Sequence, residues 1–538
     1  VGIRGFFFLF YRFKVIIEIK ERREKMRERR KLKRVLMGRL LIFIFAIAIQ
    51  FIWLVWLMYH FSNLTYFLPL IEFLSLIVLF IIINRKINSA YKLIWAVLVL
   101  AFPLVGLTLY LVFGHYWWNS SARKRLSETH GSLIAQLPQN NEVLTELKAI
   151  DLARANQSVY ISKYSDYPLY RNTDTKYFKS GEAIFESILN EMQEAEHFIF
   201  LEFFIIAEGK LLQRLLNLLE QKASEGVDVR FIYDDAGSIT TVQKDFYLEA
   251  QKRGIKCVKF NPMRPILSLL MNNRDHRKIV IIDGYIGYTG GMNVGDEYTN
   301  ELYRLGYWKD TGLRIEGEAV SSLTSMFLEM WNYITCTNDS FECYKPQAYK
   351  KSQFKGKGFI QPFGDTPLDE ENVSSIVYMN IIGNAEKYVY IFTSYLILDD
   401  EMIVQLQNAA KRGVDVRIVL PDIPDKKLIF LMSQSYYQSL LEAGVKIYQY
   451  VPGFMHAKSF LSDDKVAIVG TANLDFRSLY LHFECGIWMY QTSVIDLIKE
   501  DYEEVFTNSK EIDAQFISHF SPIVIIFQSI LRLFAPLV

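Results

Sequence analysis

Arg274-Asp275-His276-Arg277-Lys278-Ile279-Val280-Ile281-Ile282-Asp283, followed by Gly290-Gly291-Met292-Asn293, reads H-x-K-x4-D-x6-G-G-x-N. The pattern returns late in the chain as His456-Ala457-Lys458, Asp463 and Gly470-Thr471-Ala472-Asn473. Composition alone places one H-x-K-x4-D in roughly a few per cent of chains of this length. Two copies, each with a Gly and an Asn at the same offsets, are not an accident of composition. The β-branched run Ile279 to Ile282 predicts a strand buried on both faces. His276 and Lys278 stand two apart and so project to one side at its start. Asp283-Gly284 predicts a turn and Tyr285 to Tyr288 a second short strand, a hairpin that returns Asn293 toward the His–Lys edge. A lone His at a strand end is more often a satisfied polar residue than a reactive one. A duplicated set of His, Lys and Asn suits a phosphate instead: a nucleophile or proton donor, a cation and a neutral donor.

Around each motif the chain repeats itself. His197 to Ile206 (HFIFLEFFII) matches Tyr388 to Ile397 (YVYIFTSYLI) as an apolar strand. A helix-like run follows each, then Gly-Val-Asp-Val-Arg at Gly226 to Arg230 and again at Gly413 to Arg417. Another strand, another helix and a Gly-containing turn lead to the His. Alternating strands and helices predict an α/β fold with mixed sheets, built as two halves. A Gly- and Pro-rich stretch with Gly356, Gly358, Pro362, Gly364 and Pro367 separates them.

These paired motifs resemble those of the phospholipase D superfamily. The resemblance implies that the halves pack together and both motifs face one active site. One His attacks phosphorus to form a covalent phosphohistidine, and the other protonates the leaving alcohol and deprotonates the incoming one. The family usually gives the first-motif His the nucleophilic role, here His276, with His456 as acid/base; the reverse stays open. Lys278, Lys458, Asn293 and Asn473 are then placed to neutralise or bind phosphoryl oxygens. Asp283 and Asp463 belong to the motifs, although their strand positions also suit a structural role. Glu484, after Arg477-Ser478, is a candidate to orient a His. Where the family commonly has Gly-Ser, this chain has Gly290-Gly291 and Gly470-Thr471, so a backbone N–H is expected to serve at Gly291. No metal and no cofactor is expected.

The net charge of +1 over 538 residues hides an asymmetry. Residues 1–39 carry 14 Lys and Arg against 4 Asp and Glu, leaving 46 against 55 in the remainder. A body of net negative charge argues against a nuclease and against nucleic acid as a partner, because phosphate-backbone binding needs a basic surface. The cysteines Cys257, Cys336, Cys343 and Cys485 lack metal-ligand spacing and are expected to be free, buried thiols, with a Cys336–Cys343 bridge as the alternative.

The basic arm suits anionic lipid head groups, worth about 1 kcal/mol per basic residue near a membrane surface. Leu40 to Tyr59 and Leu93 to Phe113 lack charged residues and are long enough to cross a bilayer; Leu64 to Ile83 is a third candidate, interrupted by Pro69 and Glu72. A multi-pass protein of the bacterial cell membrane is therefore expected. The loop-charge rule favours catalytic halves on the outer side. Asn88-Ser89-Ala90-Tyr91-Lys92, Trp95, Phe102-Pro103, Gly106, Tyr110 and Phe113-Gly114 resemble the N-terminal membrane segment of bacterial cardiolipin synthases. Arg532-Leu533-Phe534 with Pro536-Leu537 resembles their end. The apolar loop Pro265 to Met271 is either core or a lip that admits acyl chains.

The expected divisions are a basic arm (1–39), a transmembrane region of two to three helices (40–114), a linker (115–165), a first half (166–345), a connector (346–368), a second half (369–515) and an apolar tail (516–538). What the resemblance implies is transfer of a phosphatidyl group from one phosphatidylglycerol to another, giving cardiolipin and glycerol. The partners would be phosphatidylglycerol, other anionic phospholipids and the membrane. The rivals are a membrane-bound phospholipase D with a different acceptor, such as water, and a non-catalytic lipid-binding scaffold. Both motifs being intact counts against the scaffold.

Overall fold

The computed structural model describes residues 67–114, 120–137, 140–263, 273–350, 353–513, 515–516 and 520–537, with a few positions between Phe45 and Trp56. The basic arm, most of the span expected over Leu40 to Tyr59, and the whole loop Pro265 to Met271 lie outside the described residues.

The duplication in sequence is a duplication in space. In the first half the strands lie in the order Thr173–Phe178, Gly312–Gly317, Ile286–Gly290, Ile279–Ile282, Phe198–Phe203, Asp228–Asp234 and Lys256–Phe260. The second half repeats that order with Phe359–Asp365, His482–Tyr490, Val466–Gly470, Ser459–Ser462, Tyr388–Phe392, Asp415–Pro421 and Lys446–Tyr450, then adds Ser509–Ile512 at the edge. In each half the last three of the seven shared strands pair in parallel and the others antiparallel, so both sheets are mixed.

The repeated Gly-Val-Asp-Val-Arg is a helix stop and a strand start. Gly226 and Gly413 sit at φ +93° and +92°, the left-handed conformation that ends a helix at little cost only for glycine. The next N–H turns back to close each helix, Val227 onto Lys222 O and Val414 onto Ala409 O, both at 3.1 Å. Asp and Arg two apart then share a strand face. Arg230 Nε donates to Asp228 at 3.0 Å and Arg417 Nε to Asp415 at 2.8 Å.

One hydrophobic core joins the halves. It unites Ile279, Ile281, Leu313 and Phe327 with Leu461, Val469, Ile487 and Tyr502. The helix Val320–Thr335 is buried along nearly its whole length within it. The connector proves to be partly strand, since Phe359–Asp365 pairs with His482–Tyr490 as an edge of the second sheet. The linker is largely helical: Ser120–Ile134, Asn141–Ile150 and Leu152–Tyr164. Its last helix packs on the second half through Arg154 to Asn384 O and Gln157 to Val377 O, both 3.2 Å. All four cysteines are free thiols, but only Cys257 and Cys485 are buried; Cys336 and Cys343 are exposed, against expectation.

Ahead of the linker the helices Phe67–Asn84, Ser89–Ala101 and Pro103–Phe113 pack around Ile71, Val78, Ile82, Val99, Leu107 and Tyr110. The span expected over Leu93 to Phe113 is therefore not one helix. Phe102 leaves helical geometry at φ −134°, ψ 71° because the following proline crowds its backbone, and Pro103 starts a new helix where its missing N–H costs nothing. The fold-back is tight. A Cβ on Gly106 would lie 2.2 Å from Leu98 O. No helix among the described residues is long and apolar enough to cross a membrane. The unit docks on the second half through Asn88, whose Nδ2 donates to Asp399 and to Tyr480 Oη at 3.0 Å each. The tail forms the helix Pro522–Leu533, held by Gln528 to Leu431 O at 3.2 Å, with Ile523, Ile526 and Ile530 exposed.

Candidate active site

Two short parallel ladders between the halves assemble the site. Arg274–Asp275 pairs with His482–Phe483, and Gly453–Met455 pairs with Tyr307–Lys309. Each ladder ends by delivering a motif His to the other half: His276 N donates to Phe483 O at 2.9 Å, and His456 N to Lys309 O at 2.7 Å. The next residue after each of these carbonyls is a carboxylate. Glu484 accepts from His276 Nδ1 at 2.8 and 3.0 Å, and Asp310 accepts from His456 Nδ1 at 2.7 Å. Both acids are fully buried. Each half therefore supplies a His and the acid that orients the other half's His. With Nδ1 donating to an acid, the neutral imidazole presents a bare Nε2 lone pair.

The lysines face the same space. Lys278 Nζ donates to His276 O, and Lys458 Nζ to His456 O and, at 3.3 Å, to Ser394 Oγ. Burial lowers Lys278 to about 8 and Lys458 to about 7. Burial, then the neighbouring lysines, hold His276 well below its ordinary value, and burial and Lys458 take His456 to about 4. Burial pushes Glu484 up to about 7, against the pull of Lys278 and of a hydrogen bond from Thr471 Oγ1. The resting site is thus two neutral imidazoles beside buried cations, a site poised for an anion. Aromatic rings wall it: Phe204 4.9 Å from the His276 ring, and Trp308 and Tyr298 5.1 and 5.5 Å from that of His456.

The two His loops are held differently. Arg277 Nε donates to Glu202 at 2.7 Å and Arg274 lies 3.4 Å from Asp234, so the first loop is pinned by buried ion pairs. The second is pinned by packing, with Phe454 4.7 Å from Trp308.

Several expected site residues spend their polar atoms on the protein's own backbone and side chains. The Asp283 carboxylate accepts the N–H groups of Glu196, His197 and Phe198 at 2.8, 2.8 and 2.9 Å. Asp463 does the same for Glu386, Lys387 and Tyr388 at 2.9, 2.8 and 3.0 Å. Both carboxylates tie the motif turn to the start of the neighbouring strand. Asn293 spends its amide on protein, Oδ1 accepting from Ile205 N at 3.0 Å and Nδ2 donating to Tyr298 Oη at 3.1 Å. Asn473 Oδ1 accepts from Ser394 N at 3.4 Å. Both asparagines fix residues that line the site. Nor does the Gly291 N–H serve there, since it donates to Thr311 O at 3.1 Å. What requires glycine is space, because a Cβ would lie 2.2 Å from Asp310 Oδ1.

Asp310 escaped the sequence reading, which found Glu484. A signal existed. Each acid stands two residues before a glycine, Gly312 or Gly486, that pairs with the first glycine of its half's motif. The structure also brings together three side chains of metal-ligand type, His276, His482 and Glu484, with one ligand atom from each within 4.8 Å of the others.

Comparison with known proteins agrees with this geometry. Residues 188–331 and 378–506 match the family described as "Cardiolipin synthase, PLD-like domain", and residues 73–115 match "Phospholipase D-nuclease N-terminal". A Streptococcus mutans protein named only "Uncharacterized protein" is 42% identical over 432 residues, covering 80% of this chain and 93% of its own. A cardiolipin synthase of Geobacillus kaustophilus is 34% identical over 457 residues, covering 84% and 90%. Among solved structures, the phosphatidylserine synthase of Haemophilus influenzae Rd KW20 shares the fold, with a TM-score of 0.50 and 14% identity, covering 71% of this chain and 97% of that one.

Proposed function

The chain belongs to the phospholipase D-like cardiolipin synthase family, and from that premise we propose that it joins two phosphatidylglycerol molecules into cardiolipin and glycerol. The observation that carries the reading is the crossed pairing of His276 with Glu484 and His456 with Asp310. His276 Nε2 attacks phosphorus, the P–O bond to glycerol breaks, and His456 supplies the proton that glycerol takes. A hydroxyl of the second phosphatidylglycerol then gives its proton back to His456 and attacks the phosphatidyl-histidine, breaking the P–N bond. His456 is neutral at rest, and the negative charge of a bound phosphodiester, offsetting the lysines, favours the protonated form it needs. Lys278 and Lys458 neutralise the phosphoryl oxygens, so this chain's own side chains supply the electrostatic stabilisation.

The membrane is the second part of the proposal. The exposed apolar side chains of Phe67–Asn84 and Ser89–Ala101, among them Phe73, Phe80, Leu93 and Leu100, belong to a unit that touches the second half through Asn88. The tail helix Pro522–Leu533 turns Ile523, Ile526 and Ile530 outward beside it. Together they hold the site at the surface of the bilayer from which its substrates come.

Labelled phosphatidylglycerol given to the purified protein in mixed micelles tests the reading by thin-layer chromatography. Cardiolipin with release of glycerol is expected. Phosphatidic acid as the sole product would replace the transferase by a hydrolase.

A further inference from the structure

Among the described residues, His482 is the histidine beside the reaction that the chemistry above does not use. It follows the helix Phe476–Tyr480 and opens the strand that carries Glu484. Its side chain is more than nine-tenths buried, and Nδ1 has no hydrogen-bond partner among the described residues. That nitrogen points into the site, 3.9 Å from Glu484 Oε1. The ring lies 5.5 Å from that of His276, and Glu484 Oε1 is also the atom that accepts from His276 Nδ1 at 2.8 Å. Two imidazole nitrogens and a carboxylate oxygen thus converge on one point.

We propose that His276, His482 and Glu484 form an inhibitory site for a borderline divalent transition ion such as Zn²⁺. The inference rests on the proposed role of His276 for its effect on turnover, though not for the binding itself. Three protein ligands of N, N and O type with an open fourth position are an ordinary zinc set. Bonds of about 2.0–2.2 Å to zinc put ligand atoms roughly 3.3–3.5 Å apart. The separations of 2.8 and 3.9 Å in this cluster bracket that value, and all three ligand atoms lie within 4.8 Å of one another. Zinc on His276 Nδ1 displaces the proton that Nδ1 now donates to Glu484. A neutral ring metallated at Nδ1 carries its remaining proton on Nε2, the atom whose lone pair attacks phosphorus. The nucleophile is thereby blocked with no change in the fold. Two features oppose tight binding. Lys278 and Lys458 repel a cation, and the 3.3 Å contact from Arg477 Nε to His482 Nε2 must be given up, which the half-exposed arginine can do by turning outward. Both weaken the affinity, and bound phospholipid competes.

The test uses the full-length protein in detergent, with Co²⁺ as a spectroscopic substitute for zinc. Wild type should show the visible d–d absorption of tetrahedral Co²⁺, and Zn²⁺ should bleach it. Zn²⁺ should also cut phosphatidyl transfer about tenfold or more, reversibly with EDTA. His482→Asn should lose the Co²⁺ band and the zinc sensitivity while turning over within about twofold of wild type without metal. His482→Gln serves as a second replacement with the same expectation. No Co²⁺ band in wild type would overturn the proposal, as would the same band and the same zinc inhibition in both variants. The absorption readout needs no turnover, so the metal site can fail or stand independently of the reaction proposed above.

Discussion

Replacing Asp283 by Asn separates a structural from a catalytic role for the motif aspartates. Asp283 sits at φ +47°, and asparagine is the residue that best tolerates that conformation, so backbone strain does not cloud the comparison. The carboxylate holds three N–H groups; Glu196 and His197 lie at the exposed edge, where water replaces the lost acceptor, while Phe198 is buried. Asn keeps one acceptor oxygen but turns an NH₂ toward the N–H that Oδ2 served. With hydrogen bonds to a charged group worth about 1.5–3 kcal/mol, and partial replacement by water and Oδ1, the loss should be about 1–3 kcal/mol. For a unit of this size that is a fall of roughly 3–9 °C in Tm. Asp463→Asn should lose a similar amount in the second half, an internal replicate. Thermal unfolding in detergent gives the first number, and cardiolipin formed per folded molecule at low temperature gives the second. Turnover should stay within about threefold of wild type. An unchanged Tm with turnover down more than about a hundredfold would refute the structural assignment.

Glu484→Gln and Asp310→Asn should each lower kcat by about 10²–10⁴ with the protein folded, because the imidazole loses the acceptor that fixes its tautomer; turnover with the Tm as control checks this, and near-normal rates would refute it. Between pH 7 and 9, kcat/KM should fall about tenfold or more. Lys458 at about 7 and Lys278 at about 8 lose their charge as pH rises through those values, while bound phosphodiester protects kcat by raising both. A flat kcat/KM to pH 9 would contradict this. EDTA should leave turnover in micelles intact or raise it; loss restored only by added divalent ion would refute the view that lysines supply the electrostatics.

Most of the architecture was legible because duplication writes everything twice. The paired H-x-K motifs, the apolar strands at His197 and Tyr388, and the two Gly-Val-Asp-Val-Arg strings mark the same positions in sheets of the same order. That His276, His456, both lysines and Glu484 come together was readable for that reason. Asp310 was not, because it lies seventeen residues beyond Asn293 whereas Glu484 lies eleven beyond Asn473; the unequal insertion hides the equivalence until the sheet register is known. At Asp283 and Asp463 a motif position gives chemistry and scaffold the same letter. Both sit at the far end of the strand from His276 and His456, and only the partners they accept from reveal it. The break at Phe102-Pro103 was written in the sequence, yet uninterrupted apolarity over Leu93 to Phe113 outweighed one proline.

Cardiolipin formation by His276→Ala and by His456→Ala is the most direct measurement of a single site built from both halves. Purified variants with wild-type unfolding profiles would be given labelled phosphatidylglycerol. Each should make less than about a thousandth of the wild-type product, since losing either the nucleophile or its proton partner stops both half-reactions. Retention of more than about a tenth of wild-type activity by either variant would contradict the two-histidine mechanism.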